Sequence, residues 1–367
     1  MELNTRAVHA GREDLTDLGL HAVPIDLSTT YPARDSHEEA ARLDLAAAGV
    51  NLGNSPIYGR VGNPTVSRFE TALANLEGTE SAVAFATGMA ALSACLLAVA
   101  AQGKPHIVAV RPLYGTSDHL IGSGLLGTDV TWSTVDSIEK DVRADTGLVI
   151  VESPANPTLS EVDIEAITVD VPVLVDNTFA TPVLQRPVEL GANIVLHSAT
   201  KFLGGHGDVL GGVVACDEEF ARRLRSVRIA TGGILHPLAG YLLLRGLSTL
   251  PIRIAQASKT ATELARRLAD HPGVERVHRP RIGGPMVSFD VVGDPHAVIG
   301  AVQLITPAVS LGSVDTLIQH PGSLSHHIVA AEDRHGAGIG DRLLRMSVGL
   351  EDVEDLWSDL DQALSKS

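Results

Sequence analysis

The sequence contains few aromatic side chains and few lysines. Phe, Trp and Tyr make up 3% of its 367 residues, including only four Tyr and two Trp. We therefore expect an aliphatic core. Five lysines occur, at positions 104, 140, 201, 259 and 366. The net charge is −16 and no basic cluster stands out, so nucleic acids and anionic membrane surfaces are poor candidates for partners.

Cysteine and targeting signals are also scarce. Cys95 and Cys216 are the two cysteines, too few for a disulfide framework in a chain of this length, which favours a reducing cytoplasm. The first residues show no apolar segment typical of a secretory signal. Residues 81–101 carry no charge and are long enough to span a bilayer, but they are rich in alanine and interrupted at Thr87-Gly88. We predict a buried strand, a turn and a buried helix there.

Apolar runs alternate with helical patterns from about residue 56 onward. Such alternation of strands and helices indicates an α/β fold with a mostly parallel sheet. The runs are almost continuous in Val, Ile, Leu and Ala, as expected for strands covered on both faces. They lie at 82–86, 106–110, 129–132, 148–152, 172–176, 193–197 and 211–215.

The remaining segments suggest how the chain is divided. Residues 1–55 lack clear periodicity and are interpreted as an N-terminal arm with one short helix near 37–48. Residues 56–252 form the predicted large domain, which ends within a long helical region broken at two prolines. Residues 253–367 alternate short strands and helices and are predicted to form a smaller α+β domain. No internal repeat is visible.

Lys201 stands out among the five lysines. It follows a predicted strand and precedes the glycine-rich stretch 204–207. Ligands of α/β sheets bind beyond the carboxyl ends of the strands, so this is a suitable position for a functional residue. Burial of the amine would lower its pKa and make it a nucleophile that can form a Schiff base. The alternative is a structural lysine that extends its ammonium group to water.

Two further features add to that signal. Asp176 ends the apolar run 172–176, where a buried charge is costly unless it is paired; the alternative is an aspartate that caps a helix or a turn. Gly88 lies between a predicted strand and a helix, whose first N–H groups can bind an anion. Pyridoxal phosphate requires an amine, a carboxylate for its protonated ring nitrogen and donors for its phosphate. The three features together predict this cofactor.

The order of several motifs resembles one family of pyridoxal-phosphate enzymes. The sequence is similar to the Cys/Met-metabolism family, also called the cystathionine and methionine γ-family of fold type I. The similarity is carried by Asp176-Asn177-Thr178-Phe179-Ala180-Thr181-Pro182, by His197-Ser198-Ala199-Thr200-Lys201 and by Gly204-Gly205-His206-Gly207-Asp208. It extends from Thr5 to Glu351. The resemblance implies an aspartate-aminotransferase-like fold with a mostly parallel seven-stranded sheet, a smaller C-terminal α+β domain and an N-terminal arm.

The resemblance also implies which residues bind the cofactor. Lys201 is implied to be the Schiff-base lysine and proton shuttle, and Asp176 to pair with the pyridine nitrogen. Tyr114 is implied to stack on the cofactor ring and to protonate the leaving group. The phosphate is implied to be bound by the amides of Gly88 and Met89 and the hydroxyls of Ser198 and Thr200.

Other implied residues bind the substrate or belong to a second subunit. Asn156 should lie beside the phenolic oxygen of the cofactor, and Ser310 and Arg345 should hold the substrate α-carboxylate. The resemblance implies that Tyr58 and Arg60 reach the phosphate of a neighbouring subunit. A guanidinium group suits that role because it binds phosphate in a bidentate manner. The active site would then require a dimer, and related enzymes are tetramers of two such dimers.

The substrate is suggested by the residue before Ser310. Relatives that act on cystathionine commonly carry Glu there, whereas this chain has Val309. Val309 and the run 316–321 resemble the methionine γ-lyases of the family, although those enzymes usually carry Cys at the position of Thr116. We therefore expect γ-elimination that converts L-methionine to methanethiol, 2-oxobutanoate and ammonia. Cystathionine γ-lyase activity and γ-replacement on an activated homoserine are the alternatives.

Three other classes of protein fit the sequence less well than a pyridoxal-phosphate enzyme does. A nicotinamide dehydrogenase would carry Gly-x-Gly-x-x-Gly after an early strand, and the glycines at 204–212 do not have that spacing. His320, His326, His327 and His335 are close in sequence and could indicate a metal hydrolase, but we expect a solvated loop and no metal. A binding protein without catalytic activity would not need Lys201, Asp176, Tyr114 and Arg345 together.

Overall fold

The seven predicted strands join in one sheet. A computed structural model describes residues 1–53 and 55–366. Each strand begins and ends within two residues of its predicted bounds. The strands are β1 (Ser81–Phe85), β2 (His106–Val110), β3 (Asp129–Ser133), β4 (Thr146–Glu152), β5 (Val173–Asp176), β6 (Ile194–His197) and β7 (Gly212–Cys216).

The order of strands in this sheet is β1-β7-β6-β5-β4-β2-β3. Strand β7 pairs antiparallel with β1 and with β6, and the other neighbouring pairs are parallel. Strands β1, β2, β4 and β7 are buried along their whole length, because helices pack on both faces of the sheet. The carboxyl ends of the parallel strands therefore meet at one edge, and the mostly parallel sheet predicted from sequence is confirmed.

Helices surround the sheet and begin where the sequence supplies caps or prolines. The predicted helical region 217–271 is three helices, and prolines lie in the first turns of the second and third. In the part of the chain that the structure describes, no helix has both the length and the hydropathy to cross a membrane. The helices are α1 (Leu3–His9), α2 (Ser36–Ala47), α3 (Pro64–Glu77), α4 (Gly88–Ala100), α5 (Gly115–Ser123), α6 (Ile138–Asp141), α7 (Thr181–Leu184), α8 (Glu218–Thr231), α9 (Pro237–Leu247), α10 (Leu250–Ala269), α11 (Pro295–Ala301), α12 (Ala331–Gly336) and α13 (Val353–Leu364).

The N-terminal arm contains one helix more than predicted. The predicted helix near 37–48 is α2, whereas α1 was not anticipated from the sequence. Only Ala7 of α1 is buried, so this short helix has too few apolar residues to show a period. It packs on α3. Helix α3 begins after Asn63, whose side-chain oxygen accepts hydrogen bonds from Thr65 N and Val66 N, at 2.9 and 3.2 Å.

The C-terminal part contains a second, five-stranded sheet. Its strands are β8 (Val274–His278), β9 (Met286–Val291), β10 (Thr306–Pro307), β11 (Leu317–Gln319) and β12 (Leu343–Ser347), in the order β10-β11-β12-β9-β8. Strands β10 and β11 were not predicted, because runs of two and three residues carry no pattern. Helix α10 packs on β8 and β9. The predicted boundary between residues 252 and 253 falls inside α10, and the division into domains stays a prediction.

Candidate active site

Ten of the twelve predicted site residues line one cavity. The cavity lies at the carboxyl ends of the parallel strands and has a volume of about 210 Å³. This is the edge of an α/β sheet where ligands bind. The ten residues are Gly88, Met89, Tyr114, Asn156, Asp176, Ser198, Thr200, Lys201, Ser310 and Arg345.

Lys201 lies in the turn after β6, where the burial of its amine changes its acidity. Burial and the nearby cation of Arg345 lower the pKa of Lys201 to about 8. Its Nζ donates a hydrogen bond to Ser310 Oγ at 2.6 Å. Ser310 has a φ of 125°, in the left-handed region that a side chain rarely adopts, and such strain is common at active sites. The site therefore holds a partly deprotonated amine in a fixed position.

Asp176 ends β5 with one carboxylate oxygen already paired. Its Oδ1 accepts hydrogen bonds from Thr178 N at 3.0 Å and from Thr178 Oγ1 at 2.5 Å. No hydrogen bond to Oδ2 comes from residues 1–53 or 55–366. Burial raises the pKa of Asp176, and the hydrogen bonds from Thr178 and the imidazole of His197 oppose that rise. A cationic ring nitrogen would pair with this carboxylate.

Helix α4 presents its first amides to the cavity. The side chain of Thr87 caps the helix and accepts a hydrogen bond from Ala90 N at 3.0 Å. The N–H groups of Gly88 and Met89 belong to the first turn of α4, where the helix itself offers no acceptor, so both could donate to a bound anion. Gly88 lies against Ser198, and an added Cβ on Gly88 would come within 3.0 Å of Ser198 Cβ. Glycine therefore lets the helix start and the Ser198 hydroxyl approach one another.

Thr200 lines the same cavity, but its hydroxyl already has partners. Thr200 Oγ1 donates to Gly211 O at 3.2 Å and accepts from Gly211 N at 3.0 Å. These two bonds join the turn that carries Lys201 to the residue before β7. The predicted contact of Thr200 with the phosphate stays a prediction.

Arg345 projects from β12 into the cavity as a buried cation. Its Nη1 donates to Asn156 Oδ1 at 2.6 Å, and its Nη2 donates to Ser310 O at 2.9 Å. Burial lowers the pKa of Arg345 to about 10, which leaves the guanidinium charged at neutral pH. In the amide orientation that satisfies both polar atoms of Gln319, its oxygen also accepts from Nη2, at 2.7 Å.

Glu152 is a site residue that we did not anticipate. It ends β4 beside Asp176, lines the cavity and is 5% exposed. Its two oxygens accept hydrogen bonds from the backbone of Tyr114 and of Asn156. The sequence held a usable signal, because Glu152 closes an apolar run as Asp176 does.

Tyr58 and Arg60 lie apart from this cavity. Tyr58 is 43% exposed and bridges to Thr30, and Arg60 Nη1 donates to Ile229 O at 2.7 Å. The Arg60 guanidinium lies 5.5 Å from the centre of the Tyr58 ring. Neither residue lines the cavity of its own chain. Their predicted role in a neighbouring subunit stays a prediction.

Two of the clustered histidines are buried, so the prediction of a solvated loop is wrong for them. His320 Nε2 lies 2.9 Å from Asp341 O, and His326 Nε2 lies 3.1 Å from Leu113 O and from Asn156 O. These nitrogens bind backbone carbonyls rather than pointing toward one another. Across residues 1–53 and 55–366, no group of three or more His, Cys, Asp or Glu side chains could hold a metal.

The two residues used to predict the substrate are placed differently. Val309 lines the cavity and is 58% exposed, so its apolar side chain is available to a bound substrate. Thr116 is absent from the residues that line the described cavity, whereas its neighbour Ser117 is among them. The departure from the usual Cys at position 116 therefore does not alter the wall of the cavity within one chain.

The donor set fits pyridoxal phosphate. A buried amine, an unpaired carboxylate oxygen at a strand end and the open amides of a helix start match the aldehyde, ring nitrogen and phosphate of this cofactor. The mostly parallel seven-stranded sheet and the smaller second sheet have the architecture of fold type I. Fold and site together define a pyridoxal-phosphate enzyme of that class.

Comparisons with known proteins identify the family. The chain belongs to the family of Cys/Met metabolism PLP-dependent enzymes, whose model matches residues 4–365. It is 70% identical over 366 residues to an L-methionine gamma-lyase of Streptomyces avermitilis, covering 99% of this chain and 89% of that protein. It is 51% identical over 390 residues to an L-methionine gamma-lyase of Brevibacterium sandarakinum, covering 100% of this chain and 98% of that protein.

Solved structures agree in fold. A cystathionine gamma-lyase from Lactobacillus plantarum complexed with L-serine superposes with a TM-score of 0.89 at 30% identity, covering 100% of this chain and 99% of that one. A cystathionine gamma synthase from Xanthomonas oryzae superposes with a TM-score of 0.88 at 34% identity, covering 100% of this chain and 98% of that one. The predicted fold, family and cofactor are confirmed.

Proposed function

We propose that this chain catalyses γ-elimination on L-methionine, releasing methanethiol, 2-oxobutanoate and ammonia. The observation that carries the proposal is the 70% identity over 366 residues to an L-methionine gamma-lyase. The apolar wall at Val309 supports it, because a methyl thioether carries no charge that would need a polar partner. Cystathionine cleavage and γ-replacement are the alternatives, and structural neighbours at 30% and 34% identity carry those names.

The buried cation of Arg345 would bind the substrate first. Its guanidinium is held by Asn156 Oδ1 and Ser310 O, so it is already oriented before the α-carboxylate arrives. Because the cation is buried, its attraction for the carboxylate is stronger than it would be in water. This contact would place the substrate Cα next to the amine of Lys201.

Lys201 would then move the proton. When pyridoxal phosphate is bound, the Lys201 amine would hold its aldehyde; the substrate amine would take that place and leave Lys201 free to accept the Cα proton. Bound pyridoxal phosphate supplies an electron sink for the charge left at Cα. A pKa of about 8 leaves part of the Lys201 amine unprotonated at neutral pH, as a general base requires. The 2.6 Å hydrogen bond that Nζ donates to Ser310 Oγ would hold the amine in place within the cavity.

Elimination at Cγ also requires loss of a proton from Cβ, after which the C–S bond breaks and Tyr114 would protonate the departing thiolate. Water then hydrolyses the released unsaturated imine to 2-oxobutanoate and ammonia. Tyr114 lines the cavity one residue before α5, and its backbone is fixed by Glu152. A positioned hydroxyl that protonates a leaving sulfur contributes about 10²–10⁴-fold to the rate. The same ring would stack on the cofactor, which limits the directions its hydroxyl can take.

The assembly is part of the proposal. Several apolar side chains of the arm are exposed, and an exposed apolar surface of this kind often marks an interface. They are Leu18, Leu20, Ile25, Leu27, Leu43 and Leu45. We propose that a second copy covers this surface and contributes Tyr58 and Arg60 to the cavity described here. Two such dimers would form a homotetramer, located in the cytoplasm.

A product assay tests the proposed reaction. The holoenzyme is incubated in parallel with L-methionine, L-cystathionine and O-acetyl-L-homoserine, and 2-oxobutanoate and free thiol are measured. We expect both products from methionine at the highest kcat/KM of the three. Release of 2-oxobutanoate from cystathionine with none from methionine would contradict the proposal and favour the cystathionine γ-lyase alternative.

A further inference from the structure

One carboxylate joins two loops of the active site. Glu152 Oε2 accepts a hydrogen bond from Tyr114 N at 2.7 Å, and Glu152 Oε1 accepts one from Asn156 N at 2.9 Å. Both donors are backbone amides, so these bonds fix the position of each loop rather than of a side chain alone. Tyr114 precedes Glu152 by 38 residues, and Asn156 follows it by four.

A histidine from the C-terminal part contacts the same two loops. His326 is 1% exposed, and its Nε2 lies 3.1 Å from Leu113 O and 3.1 Å from Asn156 O. Since both partners are carbonyl oxygens, Nε2 carries the hydrogen, and Nδ1 accepts from Ser325 Oγ at 3.0 Å. Burial lowers the pKa of His326 to about 4, so the ring is neutral at neutral pH.

We propose that Glu152 and His326 are positioning residues that together hold the loops of Tyr114 and Asn156 in register. Glu152 binds the N–H groups of these loops, and His326 binds their carbonyls. Asn156 passes the constraint to Arg345 through the 2.6 Å bond of its Oδ1. Glu152 and His326 thus hold the backbone that carries Tyr114, and they hold Asn156, which is one of the partners of the Arg345 guanidinium.

Burial of the Glu152 carboxylate costs free energy, which its hydrogen bonds to two loops offset. Its carboxyl group lies beside that of Asp176 in the paired strands, and burial together with this like charge raises the pKa of Glu152. The hydrogen bonds from Tyr114 N and Asn156 N and the cation of Arg345 oppose that rise, because they favour the carboxylate. A whole buried ion pair can often be replaced by apolar residues, but an apolar residue at position 152 would leave two backbone N–H groups without this acceptor. We therefore explain the buried carboxylate of Glu152 by its hydrogen bonds to the loops of Tyr114 and Asn156, which the proposed reaction uses. The inference rests on that proposed function.

The variant Glu152→Gln tests the carboxylate. A glutamine has one oxygen and one NH₂ group, so one of the two backbone N–H groups loses its acceptor in either orientation. We expect kcat for methionine to fall about 10- to 100-fold, the range that misplacement of reacting groups produces. We also expect weaker visible circular dichroism of the bound cofactor and faster hydrogen exchange in peptides that contain Tyr114 and Asn156.

Asp359→Asn is the matched control. Asp359 is also a buried carboxylate that accepts backbone amides, from Gln303, Leu304 and Ile305, but it lies in the C-terminal part away from the cavity. This variant should lower the melting temperature and leave kcat, KM and the cofactor dichroism unchanged. If Glu152→Gln behaves like Asp359→Asn in all of these readouts, Glu152 is structural only and the inference is wrong.

A pair of His326 variants provides the second test. His326→Gln retains an N–H donor that can reach the two carbonyls, whereas His326→Leu removes it. We expect His326→Leu to reproduce the loss of kcat and of cofactor dichroism, and His326→Gln to restore most of both. Equal effects of the two substitutions would overturn the inference, even if Glu152→Gln fails to fold.

The two hypotheses fail in different ways. If the unaltered holoenzyme does not act on methionine, the proposed function is wrong. The dichroism and hydrogen-exchange readouts still test Glu152 and His326 in that case, because they require no turnover. If the unaltered enzyme acts on methionine and the variants match it in every readout, only the inference about these two residues is wrong.

Discussion

The predicted cofactor-binding residues fall into two regions: residues of the first line a cavity within one chain, and residues of the second lie outside that cavity. Those on strand ends and at the start of α4 line a common cavity. Tyr58 and Arg60, between α2 and α3, are separated from it, and Tyr58 is 43% exposed. Sheet pairing and helix packing fix the first region within a single chain. The second region is proposed to act in the cavity of a neighbouring chain, so the comparison separates what one chain supplies from what the proposed assembly would supply.

Loss of Lys201 should have the largest effect. Lys201→Ala removes the amine that binds the cofactor and moves the proton, and a general base alone is worth about 10²–10⁴-fold in rate. We expect elimination to fall at least that far and the visible absorbance of the holoenzyme to disappear. Lys259→Ala, at an exposed position of α10, is the control and should match the unaltered enzyme. Retained turnover in Lys201→Ala would show that the cavity is not the active site.

Arg60, in the segment between α2 and α3, should contribute less to activity than Lys201, and it should act through the affinity for the cofactor. Arg60→Ala removes a guanidinium predicted to bind phosphate, and a hydrogen bond to a charged group is worth about 1.5–3 kcal/mol. We expect the dissociation constant of pyridoxal phosphate, measured by titration of apoenzyme, to rise about 10- to 100-fold. Arg281→Ala, whose side chain is 90% exposed, serves as the control. Equal affinities in both variants would remove Arg60 from the cofactor site.

Protonation of Lys201 should determine how the rate of cofactor capture by the first region depends on pH. The pKa of about 8 means that the amine is mostly protonated below pH 8 and free above it. The rate at which apoenzyme captures pyridoxal phosphate should therefore rise with pH through about 8 and then level off. One pH unit below the pKa, we expect about one tenth of the plateau rate. Stopped-flow absorbance measures this rate, and a flat profile between pH 6 and 9 would contradict the assigned environment.

Asn63 joins helix α3 to the N-terminal arm, and its substitution should have the smallest effect on cofactor binding and activity. Asn63 caps α3, and its Nδ2 also donates to Asp26 O of the arm at 2.9 Å. Asn63→Ala should lower the free energy of unfolding by about 1 kcal/mol, as expected for loss of a helix cap. It should also weaken cofactor binding slightly, because the arm bridges to Tyr58 through Thr30 and its release would loosen that segment.

Asp294→Ala is the matched cap variant for that experiment. Asp294 caps α11 by accepting a hydrogen bond from His296 N at 2.9 Å. Within the described residues, no hydrogen bond joins Asp294 to the arm. It should lose a similar unfolding free energy, measured by urea titration, and keep its affinity for pyridoxal phosphate. Equal cofactor affinities in the two variants would mean that Asn63 stabilises α3 without holding the arm.

The large sheet was predictable because its strands are buried on both faces. Residues 107–110 and 148–151 are apolar throughout, and such runs are recognised without knowledge of their neighbours. The strands Thr306–Pro307 and Leu317–Gln319 were missed, because their pairing with other strands, and not their composition, makes them strands. Lys201 and Asp176 were found for a similar reason, since a charged side chain at the end of an apolar run is visible in the sequence.

Glu152 and His326 could not be assigned in the same way. The partner of Glu152 is the backbone amide of Tyr114, and any residue other than proline has such a group. His326 was grouped with its neighbours in sequence, although it contacts carbonyls more than 150 residues away, at Leu113 and Asn156. Contacts to backbone groups of distant loops leave no pattern in the residues themselves.

Mixing an inactive variant with one that binds the cofactor weakly tests most directly whether the active site is shared by two chains. Lys201→Ala and Arg60→Ala subunits are unfolded together, refolded and supplied with limiting pyridoxal phosphate. If Arg60 acts on the partner's cavity, a hybrid dimer contains one intact site and one site with both defects. Elimination from methionine should then exceed the sum of the separately refolded variants. A mixture that gives only that sum, when hybrid dimers are shown to form by mass spectrometry, would contradict the shared site.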